Sequence, residues 1–137
     1  MPTKIEGEAT RRFGERYRVE ASIAVDLERA VLGSDYGANG YTTVAQADTL
    51  AAVLALREGH RLLDIGAGCG WPGLYLAKTA GCDVVVTDLP MEGLRRARRR
   101  SRDDCLTLRS GAVLASARRL PFRAESFDAI VHTDVLC

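Results

Sequence analysis

LLDIGAGCG, residues 62–70, is the stretch that decides how this chain folds. A short apolar run holding one acid, Asp64, gives way to glycine at every second position: Gly66, Gly68 and Gly70. The run Arg61–Ile65 has the leucine and β-branched content of a buried parallel strand. Glycine lets the chain leave that strand through a tight turn and lets backbone approach a ligand closely. Trp71 and Pro72 follow, and Pro72 suits the first turn of a helix, where its missing N–H costs nothing. Gly73–Ala80 reads as that helix, with Leu74, Leu76 and Ala77 apolar and Gly81 as its stop. Strand, glycine turn, helix is the order in which an open α/β sheet builds a nucleotide site at the carboxyl end of its strands.

The glycine spacing separates two kinds of nucleotide. The dinucleotide fingerprint is G-x-G-x-x-G. Counted from Gly66, its third glycine falls on Trp71, whose indole obstructs a close pyrophosphate approach. The residues 64–70 instead spell acid-x-G-x-G-x-G. A second buried strand is expected at 83–87, with Asp88 at its end. A carboxylate about 20 residues beyond a glycine turn is placed to accept ribose hydroxyls. The alternative for Asp88 is an acid that complements the dipole of a following helix. Further on stand Ser116-Ala117-Arg118-Arg119-Leu120-Pro121-Phe122 and Ser126-Phe127-Asp128-Ala129-Ile130-Val131.

Together these motifs resemble the class I S-adenosylmethionine (SAM) dependent methyltransferases, most of all the broad small-molecule group called type 11, from Leu62 to the last residue. The resemblance implies an α/β fold, a Rossmann-like open and mostly parallel sheet. It implies methyl transfer from SAM to a small-molecule acceptor. It also implies the cofactor-binding residues. Asp64, Gly66, Ala67, Gly68 and Gly70 would serve the methionine end, with the backbone near His132 beside it. Asp88 and Leu89 would serve the ribose, and Ser116 and Ala117 the adenine. The family usually has Asp where this chain has Ser116, and a serine hydroxyl can still accept one hydrogen bond. No catalytic residue is marked, because transfer from an activated sulfonium depends mostly on positioning. His132 and Asp134 are the candidates for a base, although strand-end polar residues need no such role. Cys69 reads as a small space-filler.

Two other functions compete with an enzyme of this kind. One is a non-catalytic SAM-fold module that binds a partner through an open sheet edge. The other is an NAD(P)-dependent oxidoreductase domain, against which Trp71 and the SFDAIV run both stand.

Composition narrows the classes further. The chain has 137 residues, 47% of them hydrophobic, and a formal net charge of +1. That is one globular core, with no bulk electrostatic case for nucleic acid or membrane. The amino terminus lacks the apolar stretch of a secretory signal. A cytoplasmic protein with reduced thiols at Cys69, Cys82, Cys105 and Cys137 is expected. With only His60 and His132 as histidines, no metal site is expected.

The chain divides into an amino-terminal arm with cover helices, residues 1–56, and a SAM-binding core, residues 57–137. Residues 1–16 read as a loose charged arm. Residues 17–32 read as one amphipathic helix whose Val19, Ile23, Leu27, Ala30 and Val31 face a core. Glycine-rich turn chemistry fills 33–40, Asn39 included. A helix at 44–56 is opened by a capping box from Thr43 and Gln46. Tyr41 and Thr42, just before it, either reach the methionine end of SAM or belong to a surface loop. The arginines of 91–102 read as the solvated face of a helix rather than a nucleic-acid surface, since no aromatic side chains interleave them. Further strands are expected at 112–115 and 127–132. The family's sheet continues beyond that point, so the chain reads as truncated after its fourth strand. Ile130 and Val131 would then form an exposed edge open to self-association.

Overall fold

The computed structural model describes residues 1–19, 22–38 and 40–135. Asn39 and Cys137, both given roles above, lie outside them. The order of elements is α1 (Lys4–Arg18), α2 (Ser22–Leu32), α3 (Val44–Val53), β1 (Arg61–Ile65), α4 (Gly73–Ala80), β2 (Asp83–Asp88), α5 (Met91–Asp103), β3 (Ser110–Leu114) and β4 (Ala129–Val131).

The strands form one parallel sheet in the order β3-β2-β1-β4. The chain steps outward from β1 to β2 to β3, then returns to β1's other side as β4. That reversal is a topological switch point, and it lies at the end of β1 where the glycine turn begins. The register sets Asp64 of β1 between Val86 of β2 and Val131 of β4. Leu62, Leu63, Val84 and Val86 are buried in the sheet, with Leu74, Leu76, Leu94 and Ala97 from α4 and α5. Buried on both faces, such strands read as continuous apolar runs, which is why β1, α4 and their boundaries agree with the sequence reading.

The later residues of the two carboxyl-terminal motifs hold the sheet together. Phe122 and Phe127 meet edge to face with centroids 5.0 Å apart. Asp128 accepts the N–H of Arg61 at 2.7 Å, at the amino end of the sheet. β4 is shorter than expected and lies at one sheet edge. Ile130 is half exposed there, but Val131, expected to be exposed with it, is buried.

The amino-terminal region departs most from expectation. Residues 1–16 are not a loose arm. Thr3 and Glu6 form a capping box, with the Glu6 N–H donating to Thr3 Oγ1 at 3.2 Å and the Thr3 N–H to Glu6 Oε2 at 2.7 Å. That box starts α1, which ends at Arg18, so 17–32 is not one continuous helix. Nor does the stripe of Val19, Ile23, Leu27 and Val31 face a core, for all four are exposed. The inward residue of α2 is a carboxylate, Glu28, which accepts from Ser34 Oγ at 2.6 Å, the Tyr36 N–H at 2.9 Å and the Gly37 N–H at 2.8 Å. Satisfying three donors of the following loop outweighs burying an apolar stripe.

The α3 capping box of Thr43 and Gln46 is present as expected, though the helix ends at Val53. On α5, Arg95, Arg98, Arg99 and Arg102 are exposed. Arg100 is not part of that solvated face. It pairs with Asp35 at 2.8 Å and lies over the Tyr36 ring at 3.9 Å.

Candidate cofactor site

The site is built around the turn that leaves β1. The N–H groups of Gly66 and Ala67 both donate to the carbonyl of Thr87 on β2, at 2.8 and 3.0 Å. The Gly70 N–H closes the turn on the Ala67 carbonyl at 2.8 Å. Gly68 has φ +53°, and a Cβ there would stand 2.3 Å from the hydroxyl of Tyr17 on α1. Only glycine meets both the left-handed backbone and that approach.

Two acids flank the turn. Asp64 is fully buried; its Oδ2 accepts the N–H of Gly73, the first residue of α4, at 2.8 Å. Its Oδ1 has no hydrogen-bond partner among the described residues. Burial holds this carboxyl well above its ordinary pKa and the Asp88 charge adds to the effect, while the Gly73 N–H opposes it. Asp88 directs Oδ2 to the N–H of Gly68 at 2.7 Å and Oδ1 to that of Leu89 at 2.8 Å. Its pKa is also raised, by burial first, against those two N–H groups.

The next strand end carries Ser116. The Ala115 N–H donates to the Asp88 carbonyl at 3.1 Å, which fixes Ser116 beside the second strand's end. The Ser116 hydroxyl donates to Glu6 Oε1 of α1, and its oxygen accepts the Arg118 N–H at 3.2 Å. Ala117 is exposed in the turn that follows. Glycine turn, Asp88 and Ser116 thus form a row along the carboxyl edge of β1, β2 and β3.

On the other side of β1, His132 is exposed beyond β4. Asp134 works as an anchor: its Oδ2 accepts the Tyr41 N–H at 3.0 Å, the Thr42 N–H at 3.3 Å and the Thr42 hydroxyl at 2.9 Å. Tyr41 and Thr42 therefore meet the end of β4, although the Tyr41 side chain is largely exposed. Trp71, just past the turn, is buried between Tyr36 and Tyr75, each ring centroid 5.2 Å away. Its Nε1–H donates to the Thr42 carbonyl at 3.0 Å. Pro72 is the N-cap of α4 rather than its first-turn residue.

Sequence reasoning missed Glu6, because it left residues 1–16 without structure, and Tyr17, because it set that residue at the start of a later helix instead of near the end of α1. The signal for α1 was nonetheless there, a Thr three residues ahead of a Glu.

Known proteins bear on this arrangement. A family model described as a methyltransferase domain matches residues 62–137. Methyltransferase GfsG of Streptomyces halstedii is 38% identical over 77 residues, which are 56% of this chain and 28% of that protein. 24-methylenesterol C-methyltransferase 2 of Oryza sativa subsp. japonica is 32% identical over 90 residues, 66% of this chain and 25% of that protein. The chain thus spans about a quarter of the length of these curated relatives. Among solved structures, the SAM-dependent methyltransferase of Thiobacillus denitrificans in complex with S-adenosylhomocysteine superimposes with a TM-score of 0.59 at 26% identity. The superposition covers 66% of this chain and 36% of that one.

Proposed function

This chain belongs to the class I SAM-dependent methyltransferase family, and on that premise we propose that it forms the SAM-binding part of an enzyme that methylates a small-molecule acceptor. The observation that carries the reading is the clamp of Asp88 on Gly68 at the sheet's switch point. It joins a turn fit for close backbone approach to an acid fit for hydroxyl recognition.

The residues present suit the cofactor. SAM is a cation at sulfur and at its amino group, and the turn lies between the buried carboxyl group of Asp64, with an orphaned oxygen, and the half-buried one of Asp88. Bound there, SAM supplies a methyl group on an already activated sulfonium. Gly66, Ala67, Gly68 and Gly70 would line the methionine end, with Asp64 fixing the turn against α4 and the His132 backbone alongside. Asp88 has lone pairs beyond those used by Gly68 and Leu89, and these would receive ribose hydroxyls. Leu89 would follow the ribose, and Ser116 and Ala117 the adenine. Residues 57–137 would hold the cofactor and residues 1–56 would cover it.

What remains for catalysis is to hold an acceptor in line with the methyl group, which supplies much of the rate. Asp134 already binds the backbone and hydroxyl of the 41–42 segment, so we assign it to anchoring rather than to proton transfer.

Isothermal titration of the 137-residue chain with S-adenosylhomocysteine and with NADH tests the cofactor reading. The expected result is saturable binding of S-adenosylhomocysteine and no heat with NADH. The reverse pattern would overturn it.

A further inference from the structure

Where the resemblance leads one to expect an aspartate, this chain has Ser116, and the structure brings a carboxylate to that serine from 110 residues away: the Ser116 hydroxyl donates to Glu6 Oε1. We propose that Glu6 is a cofactor-binding residue, its carboxylate standing in for the missing aspartate as the acceptor for the exocyclic amino group of adenine. The inference rests on the reading that places the base of SAM at Ser116.

Glu6 is not a free surface acid. Its Oε2 is held by the Thr3 N–H at 2.7 Å in the capping box that starts α1. The far end of α1 is held as well, by buried Tyr17 against Gly68 and by Arg18, paired with Glu92 of α5 at 2.7 Å. α1 therefore bridges the row described above, touching the glycine turn near one end and the Ser116 position near the other. The capping role explains the contact of Oε2 with Thr3. It does not require Oε1 to meet the end of β3.

The chemistry separates donor from acceptor. An exocyclic amino group offers N–H donors and needs an acceptor. Ser116 spends its proton on Glu6, and its oxygen already receives the Arg118 N–H. An ionised carboxylate is an acceptor only, with room at each oxygen for a second donor. Glu6 is kept ionised, its pKa lowered to about 2 by the Ser116 hydroxyl first and then by the Thr3 N–H and hydroxyl. A base with a carbonyl at the amino position would set oxygen against oxygen. Glu6 would thus make the site selective for adenine.

The experiment compares S-adenosylhomocysteine with its deaminated inosine analogue, which carries that carbonyl. Wild type is expected to prefer the adenine form. Glu6→Gln keeps the capping box, which accepts Glu or Gln at this place, and its amide can face either base. The preference should shrink by about tenfold, the scale of one charge-assisted hydrogen bond. The double variant Glu6→Ala/Ser116→Asp, which returns a carboxylate to β3's end, should restore the preference and also serves if Glu6→Gln proves unstable. An unchanged preference in Glu6→Gln, or an equal loss of affinity for both ligands, would overturn the assignment of Glu6. Failure of wild type to bind S-adenosylhomocysteine would overturn the cofactor reading beneath it.

Discussion

The carboxylate of Asp88, at the end of β2, holds the backbone N–H of Gly68, in the turn after β1, at 2.7 Å. The acid and the glycine turn are therefore one unit, and the acid cannot be altered without touching the turn. Burial has raised the pKa of Asp88 in spite of two N–H donors. Hydroxyl donors from a ligand would favour its charged form.

Asp88→Ala should weaken S-adenosylhomocysteine binding by about 1–3 kcal/mol, through loss of a charged acceptor. It should also lower the melting temperature while leaving the chain folded, because the Gly68 N–H loses its partner. Asp88→Asn, with one acceptor left, should recover stability more fully than affinity. Titration calorimetry beside thermal melts reads both. A folded Asp88→Ala with unchanged affinity would remove Asp88 from ribose binding.

Two helical glycines should respond in opposite directions to the same substitution. In a helix interior, Gly to Ala ordinarily gains about 1 kcal/mol. Gly7 of α1 has nothing within 4 Å of an added Cβ, so Gly7→Ala should be stabilising. In Gly93 of α5 the added Cβ would lie 2.8 Å from the carbonyl oxygen of Gly68, which is backbone. Gly93→Ala must push α5 off the turn and should be destabilising. Denaturant melts of the two variants decide this, and a gain of stability in both would show that the turn gives way freely.

Asp64 should make stability rise on acidification. Its pKa is raised in the folded chain, so the folded state binds the proton more tightly than the unfolded state. Stability is then gained as pH falls through the raised value and is complete below the unfolded value, near 4. Asp88 acts with the same sign. Glu92, Asp35 and Asp104 have lowered values and act oppositely, but only once the pH falls into the ordinary carboxylate range and below. Above the ordinary carboxylate range the raised values of Asp64 and Asp88 should dominate, so wild type should melt higher as the pH is lowered toward that range. Asp64→Asn should flatten that rise. A rise of the same size in the variant would mean that Asp64 is not its source.

The core of the fold was legible because its signals are local and agree with one another. Arg61–Ile65, the alternate glycines, Gly73–Ala80 and Gly81 each carry their own element boundary. Both acids of the site, Asp64 and Asp88, stand at strand ends where the motif puts them. What could not be read depends on side-chain contacts that lie outside any one element's own pattern. Glu28 turns α2 by binding the 34–37 loop, contrary to the rule that the apolar side goes inward. Glu6 meets Ser116 across 110 residues, and no periodicity records that pairing. The Thr3 and Glu6 box was readable, but the dense charge of 1–16 hid the helix it opens.

Trp71 is the single tryptophan of the chain. It sits one residue past Gly70, buried between Tyr36 and Tyr75 and tied to the Thr42 carbonyl. All indole emission from this protein therefore originates at the joint between the 41–42 segment and the glycine turn. Its wavelength reports whether that joint is dry, and excitation energy absorbed by the two tyrosines has a near neighbour to pass to. The molecule carries its own optical gauge of the turn, without a dye or an engineered label.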